Sequence, residues 1–206
     1  MNISGLISRD EWTNTLNAGD ICPGNLITSL LDNNYEFFWH PLGFAICKVA
    51  RWNRVSLRIH VWPNHSGYQQ DPSWLIHDHL FHLKSWVLSG EIENREYLLD
   101  FTGIDHTIYE AQYDGNKSIL NKTSTYCSKT ILHKSVYSKG DIYEVKSGVF
   151  HESRSLSKKV ALTICETVDE KVRPPRILGR VDGLLSYVYT RRRATKEEIL
   201  KLVKEI

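Results

Sequence analysis

Between residues 35 and 165 the chain is a series of short aromatic and β-branched runs separated by turn residues. This texture restricts it to a β-sandwich or a closed barrel. YEFFWH and GFAICKVARW open the series, and Trp52-Asn53-Arg54 reads as a tight turn. The next run alternates, with Val55, Leu57, Ile59 and Val61 on one face and Ser56, Arg58, His60 and Trp62 on the other. Residues 63–73 read as loop. Residues 74–101 read as two strands joined near Ser89-Gly90-Glu91, with the sequence Ile76-His77-Asp78-His79 on the first of them. HTIYEAQY and SILNKTSTYC flank a hairpin turn at Asp114-Gly115-Asn116. KTILHKSVY and DIYEV are split by Lys139-Gly140-Asp141, and VALTICET ends the series.

Helices are expected outside this region. Ser8 and Glu11 form a capping box, so a helix starts near Arg9; a second covers residues 25–31, after Pro23-Gly24 and before Asn33-Asn34. Beyond Pro174-Pro175, Thr195 and Glu198 form another capping box. It opens a helix with the apolar stripe Ile199, Leu202, Val203 and Ile206. The run Arg191-Arg192-Arg193 before it reads as a solvated basic turn, with a phosphate contact as the alternative. The expected organisation is therefore an N-terminal helical segment (1–34), a barrel (35–172) and a C-terminal extension with a helix (173–206), all in one structural domain.

Composition excludes several function classes. A net charge of +2 and a pI near 8.3 point to neither nucleic acid nor a membrane as partner. The first residues lack a basic segment followed by an apolar run, so a cytoplasmic location is expected. Cys22, Cys47, Cys127 and Cys165 lie far apart with no C-x-x-C pair, and are expected as free, mostly buried thiols.

The chemistry-bearing residues are histidines. Two apart on a strand, His77 and His79 present their imidazoles on one face, a geometry suited to two cis ligands of one metal ion. Gly140, Gly148 and His151 follow in the pattern turn glycine, strand, turn glycine, histidine. That pattern can return a third imidazole from another strand and leave coordination positions open. His60 shares a face with Arg58 and Trp62. If that face looks inward, His60 is a candidate acid/base group and Arg58 a candidate anion anchor; the alternation leaves open whether it lines the interior or the outside. His82 falls on the face opposite the metal ligands. His40, Tyr97 and Tyr143 read as core or turn residues, and His65, His106 and His133 have no supporting pattern.

These two segments resemble the paired motifs of the cupin superfamily. His77-x-His79 is followed by three residues, Leu83, six residues and Gly90. Gly140 is followed by five residues, Lys146, one residue, Gly148, two residues, His151, three residues and Ser155. The spacing matches, and Leu83 stands where the family has its glutamate ligand. The resemblance thus implies a double-stranded β-helix (jelly-roll barrel) with flanking helices and a three-histidine site. It is similar to the subgroup of cysteine dioxygenase and its thiol-dioxygenase relatives, and runs from about residue 44 to 165. Where those enzymes carry a serine–histidine–tyrosine relay on late strands, this chain has Thr163 and Cys165. For their carboxylate-gripping arginine, Lys48, Arg51 and Arg58 are candidates.

The resemblance implies a divalent metal, Fe(II) first, with Zn, Ni or Mn as alternatives. It also implies a dioxygenase acting on a small polar or anionic molecule. A metal-dependent isomerase, lyase or hydrolase is the alternative, and a non-catalytic ligand-binding cupin the third. Cupins often dimerise through edge strands, so a homodimer is the assembly to test.

Overall fold

The computed structural model describes residues 8–64, 67–156, 158–170, 173–204 and 206. His65, and with it part of the expected loop 63–73, lies outside the described residues. Two antiparallel sheets and three helices make up the fold. The first sheet is ordered β1 (Phe37–Trp39), β2 (Ala45–Trp52), β3 (Val55–Trp62), β10 (Ala161–Asp169), β4 (Phe81–Ser89), β8 (Ile142–Val145). The second is ordered β11 (Arg176–Arg180), β6 (His106–Asp114), β7 (Lys117–Ser138), β5 (Glu91–Asp100), β9 (Phe150–Ser155), with β12 (Ser186–Thr190) also on β7. The architecture is the double-stranded β-helix that the motif resemblance implied, within the sandwich-or-barrel class set by the strand pattern. Among the described residues no helix is long and apolar enough to cross a membrane.

The period-two pattern of β3 determines how the layers stack. Leu57, Ile59 and Val61 join Leu162 and Ile164 of β10 on the outer face of the first sheet. The helices α1 (Arg9–Ala18), α2 (Pro23–Asp32) and α3 (Lys196–Val203) cover that face with Trp12, Leu16, Ile27, Leu30 and Ile199. Both expected capping boxes form, on Ser8 with Glu11 and on Thr195 with Glu198. The other face of β3 looks into the barrel: Trp62 packs there with Phe44, Leu83, Val87, Tyr143 and Cys165. Arg58 and His60, in phase with Trp62, share that inward face.

Three expectations need correction. SILNKTSTYC and KTILHKSVY are one 22-residue strand, β7, because its two halves find different antiparallel partners, β6 and β5. Residues 74–80 do not form a continuous strand: β4 starts at Phe81, and His77 makes isolated bridges to His151 and Ile177. The arginine run is not a uniformly solvated turn. Arg192 pairs with Glu198 at 2.6 Å and Arg193 with Glu36 at 3.0 Å, while Arg191 lines a cavity. The tail beyond residue 173 also supplies β11 and β12, which the sequence reading did not anticipate. The four cysteines are free, and all but Cys22 are buried.

Leu30 and Ile199 are fully buried where the helices meet the sheet. Leu30→Ala or Ile199→Ala will cost about 2–5 kcal/mol, as large-to-small core changes do. Urea unfolding will show a lower midpoint with an unchanged slope.

Candidate metal centre

The three histidines meet because two backbone segments clasp each other. His77 N–H donates to the His151 carbonyl at 3.0 Å, and His151 N–H donates back to His77 at 2.8 Å. Gly148 N–H donates to the His79 carbonyl at 2.9 Å, from a backbone with φ of 83°, a left-handed conformation that favours glycine. The turn glycine of the second motif thus fixes the first. On its other edge the His77 segment pairs with β11, through Asp78 N–H to Arg176 O and Leu178 N–H to Ile76 O, each 2.9 Å. Asp78 itself is fully buried; Arg173 Nη2 grips it at 2.5 Å and Arg176 Nε at 2.9 Å.

Each imidazole is oriented differently. His77 Nδ1 lies 2.7 Å from the Leu75 carbonyl, which can only accept, so Nδ1 carries the proton and Nε2 is free. His151 Nδ1 lies 2.9 Å from Asn94 Oδ1, which also accepts from Ser153 Oγ at 3.0 Å. His79 stacks on Phe81 with centroids 4.4 Å apart. One ligand nitrogen from each of the three falls within 4.8 Å of the other two. Burial holds all three imidazoles below the ordinary histidine pKa, and for His79 the neighbouring His77 and His151 add to it.

The set fits a divalent metal. The imidazoles are neutral, their Nδ1–H groups are anchored for His77 and His151, and His151 Nε2 is buried with no hydrogen-bond partner among the described residues. An unpartnered buried nitrogen is costly unless something completes it. Leu83, at the family's glutamate position, is 6% exposed within the apolar interior, so this position supplies no carboxylate to the set.

His60 and Arg58 stand on the opposite wall. Burial, and then Arg58, push His60 down to about 3; its Nδ1 lies 3.5 Å from Cys165 Sγ and its Nε2 is unpartnered. Phe44 links it to the cavity, stacking on His40 at 4.5 Å and meeting His60 at 4.9 Å. Arg58 lies 5.0 Å over the Phe81 ring, on which His79 stacks. Lys48 and Arg51, the other anion-anchor candidates, are exposed, and Arg51 pairs with Asp169 at 3.2 Å. His82 pairs with Glu144 at 3.2 Å, away from the ligands.

Beside His77 and His79 lies a cavity of about 100 Å³, which His40, Tyr113, Tyr189 and Arg191 also line. Sequence reading missed Asn94, Tyr113 and Ser118, placed His40 in a turn or core, and singled out Arg191 only as part of a basic run. Asn94 did leave a signal: it is in phase with buried Ile92, a lone amide on an inward apolar face. Arg191 left none beyond a basic run.

No family model matches the chain, and no curated protein matches it. Solved structures similar to it include cupin domains and Fe(II)-bound proteins. One is an RmlC-like cupin from Shewanella frigidimarina, 13% identical with a TM-score of 0.40, covering 68% of this chain and 87% of that one. Another is the Cnp3 cupin domain of Schizosaccharomyces pombe, 7% identical with a TM-score of 0.34, covering 62% and 61%. A third is Streptomyces albus HEPD, with 2-hydroxyethylphosphonate and Fe(II) bound, 9% identical with a TM-score of 0.37, covering 64% and 22%.

Two outcomes test this geometry. Asn94→Leu frees the His151 ring and will weaken metal binding about 10- to 100-fold in a chelator-competition titration. His60 gives a pH dependence. The unfolded chain protonates it near 6.5 and the folded chain near 3, so its contribution to stability is complete above pH 6.5 and drains away as the pH falls. Between pH 7 and pH 5 that amounts to about 2 kcal/mol. Urea unfolding of His60→Gln at the two pH values will show a fall smaller by that amount than in the wild type.

Proposed function

We propose that the chain is a metal-dependent enzyme of cupin type, a non-haem Fe(II) dioxygenase acting on a small polar or anionic molecule. The observation that carries this reading is the ligand set: three converging neutral imidazoles, with His151 Nε2 lacking any protein partner. Bound there, Fe(II) supplies redox chemistry toward oxygen and a positive charge that three neutral ligands leave uncompensated. His77, His79 and His151 hold the ion, and Asn94 and the Leu75 carbonyl fix two of the rings. Arg58 offers the substrate a guanidinium with a buried, unpartnered Nε. His60, neutral at physiological pH, offers Nε2 as a proton acceptor.

His60 also supports a second reading. A neutral base near a Zn, Ni or Mn ion suits an isomerase, lyase or hydrolase, in which the ion polarises a carbonyl or activates water.

The test is metal analysis of the purified protein and of the His77→Ala, His151→Ala double variant, followed by oxygen-electrode assays on anaerobically Fe(II)-reconstituted protein. Stoichiometric iron that the double variant loses, with oxygen uptake on a thiol or small-acid panel, is the expected result. Zinc or nickel with oxygen-independent turnover would favour the second reading. Absence of metal after reconstitution would overturn both.

A further inference from the structure

The cavity beside His77 and His79 has a wall the three-histidine reading does not use. Tyr113 of β6 faces Ser118 of β7, and Ser118 faces Tyr189 of β12, so the three form one cross-strand row. Arg191, two residues beyond Tyr189, follows on the same side, its N–H bonded to the Asn116 carbonyl at 2.8 Å. All four residues line the cavity.

Two of them carry polar atoms the protein leaves unsatisfied. Ser118 is 5% exposed and its Oγ has no hydrogen-bond partner among the described residues. Arg191 Nε is buried and equally unpartnered, and the guanidinium lies 5.2 Å over the Tyr113 ring. Its neighbours Arg192 and Arg193 each have a glutamate, whereas Arg191 has no ion pair among the described residues. A buried polar atom left without a hydrogen bond is unfavourable. A cavity lined by two such residues is suited to a ligand that completes both. Arg191 is also close enough to depress the protonation of His40 and of Arg58, so its charge reaches across the interior uncancelled.

We propose that Arg191 and Ser118 form an oxyanion-binding subsite, so that the cavity takes a small molecule bearing a carboxylate or phosphate group at the end away from the three histidines. The guanidinium supplies a planar fork of donors and Ser118 a hydroxyl donor, a combination that matches an oxyanion. The identity of the other, metal-facing end rests on the reading above; the subsite itself does not.

The experiment is calorimetric titration of inorganic phosphate and of succinate into metal-free and Zn(II)-loaded protein. It compares wild type with Arg191→Gln, Arg191→Lys, Ser118→Ala and the control Arg193→Gln. The expected result is binding by the wild type in both metal states. Arg191→Gln weakens it about 10- to 100-fold, the range for a charge-assisted hydrogen bond. Arg191→Lys and Ser118→Ala lie between, and Arg193→Gln is unchanged. The tighter of the two probes identifies the group as phosphate or carboxylate, either of which supports the subsite. Anion binding that depends on Arg191 in a protein that takes up no metal also supports it, while removing the enzyme reading. Equal binding by wild type and Arg191→Gln, or binding of neither probe by the folded wild type, overturns it.

Discussion

The backbone clasp that seats residues 76–79 between β9 and β11 determines where every ligand of the site can be. His77 spends its own N–H and carbonyl on His151, while Ile76 and Asp78 spend theirs on β11. The second sheet is ordered β11-β6-β7-β5-β9, so this segment ties its two end strands together. Asp78 is the anchor. A carboxylate removed from water costs several kcal/mol unless paired, and Arg173 and Arg176 both pair it. Both arginines lie after the last strand of the first sheet. Residues 173–180 thus help hold the backbone that carries His77 and His79.

This dependence explains what the sequence revealed and what it concealed. The strand texture, the capping boxes at Ser8 and Thr195 and the turn glycines at 90, 115, 140 and 148 are local signals, and each appears in the structure. The convergence of His77, His79 and His151 was legible because turn glycines set the phase of a histidine relative to its strand. The inward face of β3 was not legible. Alternation defines two faces, and an apolar one can be buried by helices as well as by an opposing sheet. Here the helices took Leu57, Ile59 and Val61, leaving Arg58, His60 and Trp62 to the barrel. Arg191 was hidden for a related reason: its neighbours found glutamates and it did not, a matter of tertiary pairing that no run of three arginines encodes.

The barrel interior is more polar than its strand composition suggests, and the polarity is organised. Across the first sheet the register sets Arg58 opposite Cys165, Cys165 opposite Ser85, and Ser85 opposite Tyr143. Cys165 Sγ lies 3.3 Å from Ser85 Oγ and 3.5 Å from His60 Nδ1. Separately, Ser153 Oγ donates to Asn94 Oδ1, which also holds His151. Burial pushes the Tyr143 and Cys165 protons on more firmly, so both stay neutral donors. Two short groups of neutral hydrogen-bonding side chains thus line the interior, one around His60 and one holding the His151 ring.

Neutrality of these groups has an electrostatic consequence. The imidazoles of His40, His60, His77, His79 and His151 are all held below their ordinary pKa, so none offers a charge. The buried carboxylates that neighbour the ligands in sequence, Asp78 and Glu152, are each already matched by two arginines. Arg58 and Arg191 therefore add to any bound cation instead of balancing a protein anion. Two guanidinium groups and a metal ion in a poorly hydrated interior repel one another strongly unless negative charge enters with the ligand. An acidic ligand relieves that repulsion at each cation it touches, and a neutral one of the same shape relieves none. With a metal ion on the three histidines, as proposed, the interior would therefore discriminate on charge before shape.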